Sequence, residues 1–368
     1  MMYDVLVVGA GFFGSIFAHQ ATKEGLSCAV IDKRSHIGGN CYTRNVRGIH
    51  VHEYGPHIFH TNSKKIWDFV NRFANFRQFT YSPVANYKDE LYSLPFNMWT
   101  FHQLWGVTSP AEAMQKIEET RVKCDAPKTL EEYALSELGK DVYEKLIRGY
   151  TKKQWRKDPK DLPSFIIKRL PFRLTYDANY YHDKYCGIPD GGYTQIFEKL
   201  LQDIEVKLNT DFFENREYWE KSAKTIVYTG PIDAYFDYVY GELDYRTLEF
   251  KHVETEVENI QGVPVINYTS EDVPWTRTIE HKHFEKVKTD HTVLTYEKPV
   301  EWSKEKTPYY PINDDHNNSI LAEYNKEVKK LSNVIFGGRL AKYQYYDMDQ
   351  IVGSALVASK KFLANRSI

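Results

Sequence analysis

The sequence predicts an α/β protein built on a parallel sheet, with a helical insertion and a separate antiparallel β-sheet region. Three observations carry that expectation. An apolar run, Tyr3–Val8, feeds Gly9-Ala10-Gly11-Phe12-Phe13-Gly14 and then helix-compatible residues from Ile16 onward. Capping boxes recur between residues 97 and 157. Four short β-rich stretches follow one another between residues 246 and 300.

A β-branched run that enters G-x-G-x-x-G and leaves as a helix is a strand, a tight turn and a helix whose free N–H groups face a pyrophosphate. The next strand, residues 27–31, ends in Asp32, whose carboxylate can accept hydrogen bonds from a ribose. Two further glycine pairs lie at Gly38-Gly39-Asn40 and, after an apolar strand at residues 334–336, at Gly337-Gly338-Arg339. Glycine serves where a side chain would collide with a ligand, so three such places favour the longer dinucleotide, FAD. The expected fold class is therefore a Rossmann-like FAD-binding domain with an inserted helical domain and an antiparallel β-sheet domain. Residues 1–80, 186–240 and 321–368 form the three parts of the first, 81–157 the helical domain, 158–185 a link, and 241–320 the sheet domain.

Composition narrows the classes of function. Hydrophobic residues at 42% and charged residues at 27% are ordinary globular usage, so no low-complexity arm is implied. A net charge of -2 gives no field to gather nucleic acid. Cys28, Cys41, Cys124 and Cys186 lack C-x-x-C spacing, which argues against zinc and a disulfide framework and fits the cytoplasm. No run of about 18 apolar residues is present and the N-terminus enters a strand at once, so neither membrane span nor signal peptide is expected. The 28 tyrosines exceed what a core needs; each offers a flat face for a base and a hydroxyl for a phosphate.

Along the chain, His50, His52, His57 and His60 crowd one segment. No carboxylate or cysteine completes a recognisable ligand set, so no metal is expected, and the segment reads as a loop crossing a flavin ring or substrate. Asn62 is expected to cap a helix carrying Ile66, Trp67, Phe69, Val70 and Phe73. Residues 84–94 alternate around Lys88-Asp89 as a hairpin. Ser109 with Glu112, and Thr129 with Glu132, open two helices; the second stops at Gly139, and another begins near Asp141 with Val142, Leu146, Ile147 and Tyr150 on one face. Tyr150 and Gln154 stand at i, i+4, an aromatic plane beside an amide, which suits a pyrimidine; a packed helix end has the same spacing. Gly191-Gly192-Tyr193 opens another helix, and a strand at residues 225–228 returns the chain to the nucleotide fold at Thr229-Gly230-Pro231. Residues 248–252, 263–268, 275–281 and 292–296 read as antiparallel strands flooring a cleft. Asp347 and Gln350 box the last helix, whose N-terminus suits the negative edge of a reduced flavin.

Strings along essentially the whole chain resemble the bacterial-type UDP-galactopyranose mutase family. They include His57-Ile58-Phe59-His60-Thr61-Asn62, Leu94-Pro95-Phe96-Asn97, Gly149-Tyr150-Thr151-x-x-Gln154-Trp155, Ile279-Glu280-His281-Lys282-His283-Phe284 and Gly337-Gly338-Arg339 to Tyr345-Tyr346-Asp347-Met348. The resemblance implies a cytoplasmic homodimeric flavoprotein that interconverts UDP-galactopyranose and UDP-galactofuranose for cell-surface polysaccharide, without net redox change. It implies FAD in its reduced form, kept so by an external reductant, with N5 attacking the anomeric carbon through a flavin-sugar iminium. By motif, Arg169 and Arg277 would neutralise the diphosphate, with His60 as a third catalytic group. Tyr180, Tyr310 and Tyr345 would give hydroxyls to phosphate; Tyr150, Thr151, Gln154 and Asn267 would surround uracil, and Trp155 the sugar. The cofactor would be held by Gly11, Phe12, Phe13, Asp32, Lys33, Gly39, Asn40, His57, Thr229, Gly230, Arg339, Tyr345, Asp347 and Met348. The stretch holding Arg169 would be a lid. One departure stands out: relatives often carry Asn in a Thr-Asn-Ser-Pro string where this chain has Thr80-Tyr81-Ser82-Pro83, beside the sugar. UDP-N-acetylgalactosamine therefore stays open as a substrate, and a flavin-dependent amine or sugar oxidase and a nucleotide-sugar binding flavoprotein stay open as alternatives.

Overall fold

The computed structural model describes residues 2–168 and 170–366. Its five-stranded sheet is parallel throughout, in the order Glu205–Lys207, Cys28–Ile31, Tyr3–Val8, Ala223–Tyr228, Val334–Phe336. The chain thus leaves this sheet after its second strand and returns for the other three. Helices cover one face: Ile16, Phe17 and Ala18 of Phe12–Lys23 and Val352 and Ala355 of Met348–Arg366 share a core with Val5, Val7 and Val30. Phe212, Tyr235, Tyr324 and Phe336 cover the other with Leu6, Ala29 and Ile226. Burial on both faces is why these strands read as unbroken apolar runs.

A seven-stranded sheet stands beside it, in the order Tyr310–Pro311, Tyr245–Thr255, Thr292–Val300, Arg277–Glu280, Val265–Tyr268, Val84–Tyr87, Glu90–Ser93. Every neighbouring pair is antiparallel except Val265–Tyr268 with Val84–Tyr87, where Asn267 lies opposite Ala85. The hairpin forms as expected, turning at Lys88 and Asp89 with φ of 51° and 67°. It extends the sheet, so the helices that follow it are tethered to the strands that carry Arg277 and Asn267.

Both expected capping boxes of the helical segment are present, at Ser109 and Glu112 and at Thr129 and Glu132. Three local expectations are corrected. The helix expected from Asp141 starts at Gly139 and passes through a π turn, Tyr143–Arg148, before continuing as Gly149–Trp155. That wider turn changes which residues share a face: Val142, Leu146 and Ile147 enter the helical core, but Tyr150 does not. Ser63, not Asn62, caps Lys64–Val70, its Oγ accepting from the Ile66 N–H at 3.4 Å. Asn62 instead bonds to Asp183 and to the backbone N–H of Lys184. At the last helix the Gln350 side chain accepts from the Asp347 N–H at 2.8 Å, while the Gln350 N–H goes to the Asp349 carboxylate, so Asp347 does not close the box with its own side chain. No helix among the described residues is long and apolar enough to cross a membrane.

Candidate active site

The opening turn is built for close backbone approach. Gly9 has φ of +109°, and a Cβ on Gly14 would lie 2.0 Å from the Gly9 carbonyl oxygen. A side chain at either place would break the turn. Asp32 braces it from the neighbouring strand: its buried carboxylate accepts the Ala10 N–H at 2.8 Å and the Arg34 N–H at 2.9 Å. Each oxygen keeps lone-pair capacity for a ribose hydroxyl. The second glycine pair packs against the first, since a Cβ on Gly39 would come within 3.2 Å of the Gly11 Cα. Thr229 closes the third side, its hydroxyl donating to the Val8 carbonyl at 2.8 Å. Gly11, Phe12, Phe13, Asp32, Lys33, Gly39, Asn40, His57, Thr229, Gly230, Arg339 and Met348 all line one cavity of about 750 Å³. A glycine-walled trough at a helix N-terminus fits the pyrophosphate of a dinucleotide.

A smaller cavity of about 100 Å³ shares Asn40, Tyr54, His57, Arg339 and Met348 with the large one, so the two adjoin. His60, Tyr181, Arg277, Tyr309, Tyr310, Tyr345 and Asp347 are among its other walls. Arg277 donates through Nε to Glu297 Oε2 at 2.7 Å, and the Glu297 side chain is fully buried. Burial opposes the guanidinium charge, but the adjacent carboxylate outweighs it and holds Arg277 above its ordinary range. Arg339 donates to the carbonyls of Tyr346 at 2.6 Å and Tyr309 at 3.2 Å, and stands 5.1 Å from the Tyr345 ring, which stacks on Tyr310. Two fixed cations thus share one tyrosine-walled pocket.

The crowded histidines are held by hydrogen bonds. His57 Nδ1 lies 2.8 Å from the Gly55 carbonyl and so carries the proton; burial pulls the imidazole down to about 4, which keeps it neutral at pH 7. Its backbone N–H donates to His52 Nδ1 at 3.0 Å, and the His52 N–H donates to His281 Nδ1 at 3.1 Å. Because that nitrogen accepts, His281 Nε2–H donates to the Thr295 hydroxyl at 2.6 Å, which donates to His252 Nδ1 at 2.7 Å. His252 Nε2 reaches Glu53 at 3.2 Å. Burial pulls His281 down to about 3. The loop carrying His57 is therefore anchored by a chain of side chains from three strands, whereas His50 pairs separately with Glu285 at 2.6 Å.

Tyr150, Thr151 and Gln154 lie on the helix Gly149–Trp155, and with Tyr180 and Asn267 they line neither cavity. Tyr150 and Asn267 are nonetheless neighbours of Arg277. Burial pushes the Tyr150 hydroxyl up to about 12, with Arg277, Glu297, Tyr180 and Tyr310 acting on it electrostatically. Asn267 stands opposite Arg277 in register. Gln154 Oε1 and Asn267 Oδ1 are both buried without a hydrogen-bond partner, and such acceptors call for a donor. Trp155 is turned away from both cavities: its ring lies 4.4 Å beneath the Arg246 guanidinium and packs on the helical core. Arg169 lies outside the described residues. Sequence reasoning missed Glu297, Tyr181 and Asp183 as partners of the pocket; only Glu297, a charge inside an apolar strand run, carried a signal.

The family model for UDP-galactopyranose mutase matches residues 145–345, and that for an NAD(P)-binding Rossmann-like domain matches residues 7–73. The chain is 39% identical to a dTDP-fucopyranose mutase of Escherichia coli, over 99% of each protein. It is also 39% identical to a probable UDP-galactopyranose mutase of Klebsiella pneumoniae, over 98% of this chain and 95% of the relative. A crystal structure of a reduced UDP-galactopyranose mutase superimposes with a TM-score of 0.74 at 13% identity, covering 99% of this chain and 94% of that one. With its parallel dinucleotide domain, its tethered helices and a family match across more than half its length, the chain belongs to the UDP-galactopyranose mutase family.

Proposed function

We propose that this enzyme interconverts the pyranose and furanose forms of a UDP-linked galactose, using reduced FAD. One observation carries the reading: a pocket with two fixed guanidinium groups opens directly into the glycine-walled trough, sharing five lining residues with it. Gly11, Phe12, Phe13, Asp32, Lys33, Gly39, Asn40, Thr229, Gly230 and Arg339 would hold the dinucleotide, and His57, Tyr345, Asp347 and Met348 would face its reactive end. When bound and reduced, the flavin supplies the nucleophile for the anomeric carbon.

The protein's own residues then bind, orient and balance charge. Arg277, kept ionised by Glu297, and Arg169 would neutralise the diphosphate as it leaves and returns, with Tyr180, Tyr310 and Tyr345 donating to its oxygens. One of the buried acceptors of Gln154 and Asn267 would take the single base N–H, with the base on Tyr150 and beside Thr151. Trp155 would reach the sugar only after turning from Arg246. The segment around Arg169 would close over the pocket and exclude water. A homodimer in the cytoplasm is the proposed working form, supported by the family resemblance.

The dithionite-reduced protein should convert UDP-galactofuranose to UDP-galactopyranose; no conversion with FAD bound rejects the reading. A second substrate reading has its own support. Tyr81 is buried against Tyr180 and Tyr181, at ring distances of 5.5 and 5.7 Å, and the Escherichia coli relative named for dTDP-fucopyranose is as similar as the Klebsiella one. A tyrosine wall suits the methyl of a 6-deoxy sugar. Parallel assays with UDP-galactose, UDP-N-acetylgalactosamine and dTDP-fucose decide by the ratio of kcat/KM values.

A further inference from the structure

Exchanging a six-membered for a five-membered sugar ring breaks the bond from C1 to O5 and forms one from C1 to O4. The electron pair of the broken bond stays on O5, which needs a proton, while O4 must lose one. A group able to give and retake a single proton within one pocket serves both needs.

His60 is mounted for this. Its strand, Phe59–Thr61, pairs with Tyr185–Pro189, bringing His60 opposite Cys186 and beside residues 181–184, which lead into that strand. His60 Nδ1 lies 2.5 Å from Asp183 Oδ2. The other oxygen of Asp183 accepts from the Asn62 side chain, whose own oxygen accepts from the Lys184 N–H at 2.9 Å. The carboxylate is thus clamped on both sides. The Tyr181 ring lies parallel to the imidazole at 3.8 Å and 16°, which fixes the plane of the ring. With Nδ1 bound to an acceptor-only group, Nδ1 carries the proton, and Nε2 is the nitrogen left for the cavity that His60 shares with Arg277 and Tyr345.

We propose that His60 carries the proton between O5 and O4, and that Asp183 is the positioning residue that fixes its tautomer. The imidazolium gives its Nε2 proton to O5 as the C1–O5 bond breaks. The neutral ring, still bound through Nδ1–H to Asp183, takes the O4 proton through the same Nε2 as the C1–O4 bond forms. No proton is gained or lost overall. Arg277, Arg339 and Asp347 are the other charged groups lining this cavity, and its second imidazole, His57, is tied through Nδ1–H to the Gly55 carbonyl and kept neutral by burial.

This rests on the mutase reading above, and the test separates the two. Reduced holoenzyme is given UDP-galactopyranose with ¹⁸O in the bond between the anomeric carbon and the diphosphate. Scrambling of the label reports cleavage of that bond, and chromatography reports the furanose. In His60→Gln, ring exchange should fall by about 100-fold or more while scrambling changes by less than about 5-fold. In Asp183→Asn, kcat should fall by about 10-fold with KM little changed. Nitrogen NMR of ¹⁵N-histidine-labelled holoenzyme, with His60→Gln assigning the signal, should show Nδ1–H as the neutral tautomer, and this preference should be lost in Asp183→Asn. Parallel loss of scrambling and ring exchange in His60→Gln, unchanged ring exchange, or an unchanged tautomer in Asp183→Asn would overturn the proposal. Wild-type protein that neither scrambles label nor makes furanose refutes the mutase reading, and the proposal with it.

Discussion

Glu297 is the most informative single position, because its charged partner among the described residues, Arg277, is a group the chemistry needs. The Glu297 side chain is 0% exposed and that of Arg277 20%, with 2.7 Å between Nε and Oε2. At an effective dielectric of about 20, the gross attraction across that distance is about 6 kcal/mol, most of it offset by desolvation. Removing one partner of such a pair leaves a buried uncompensated charge and costs about 3 to 5 kcal/mol. Glu297→Gln keeps the volume and one acceptor, so the lower end applies, about 3 kcal/mol. With an unfolding entropy of about 2.1 cal/mol/K per residue over the 368 residues, that is a fall in Tm of about 4 °C. Calorimetry at fixed FAD concentration measures it. Arg277→Met combined with Glu297→Leu should recover much of the loss, since neither charge then stays buried alone, yet remain inactive. A Glu297→Gln variant within about 1 °C of wild type, or a double variant less stable than the single one, would refute the argument that Glu297 holds Arg277 ionised.

Other outcomes follow from the same geometry. Tyr150→Ala should weaken UDP binding by about 1 to 3 kcal/mol through lost stacking, read by calorimetric titration; an unaltered Kd would remove Tyr150 from the base site. Gly39→Ala should strip the flavin, seen as a colourless purified protein, because its Cβ would meet the Gly11 backbone at 3.2 Å and its φ is +56°. Arg169→Ala should lose turnover steeply while FAD stays bound. Acid should destabilise the fold. His57 and His281 protonate near 6.5 in the unfolded chain but only near 4 and 3 when folded, so stability present above pH 6.5 is lost as pH falls toward 4. The slope is about 1.4 kcal/mol per pH unit for each group, and a Tm flat from pH 7 to 4.5 would contradict it.

Local chemistry made much of the fold legible. Gly9 to Gly14 read as a turn because glycine alone tolerates the φ at Gly9 and the contact at Gly14, and Ser109 and Glu112 read as a box because each satisfies the other's backbone. What stayed hidden was long-range. Tyr150 shares a helical period with Ile147, yet a π turn of otherwise ordinary residues puts it beside Arg277. The hairpin at Val84–Tyr87 and Glu90–Ser93 announced itself, but nothing local says that Val84 pairs in parallel with Ile266, across a large gap in sequence. Site partners followed the same divide: Asp32 sits in a spaced motif, whereas Asp183 meets His60 only because two distant strands pair.

The bracing of the Gly9 turn by Asp32 has a consequence for assembly of the holoenzyme. Since the carboxylate already satisfies the Ala10 and Arg34 amides within the polypeptide, the trough keeps its shape before any cofactor arrives. Loading then resembles insertion into a mould, with the ordering of the loop completed during folding, and apoprotein stripped of flavin should accept it again without passing through an unfolded chain.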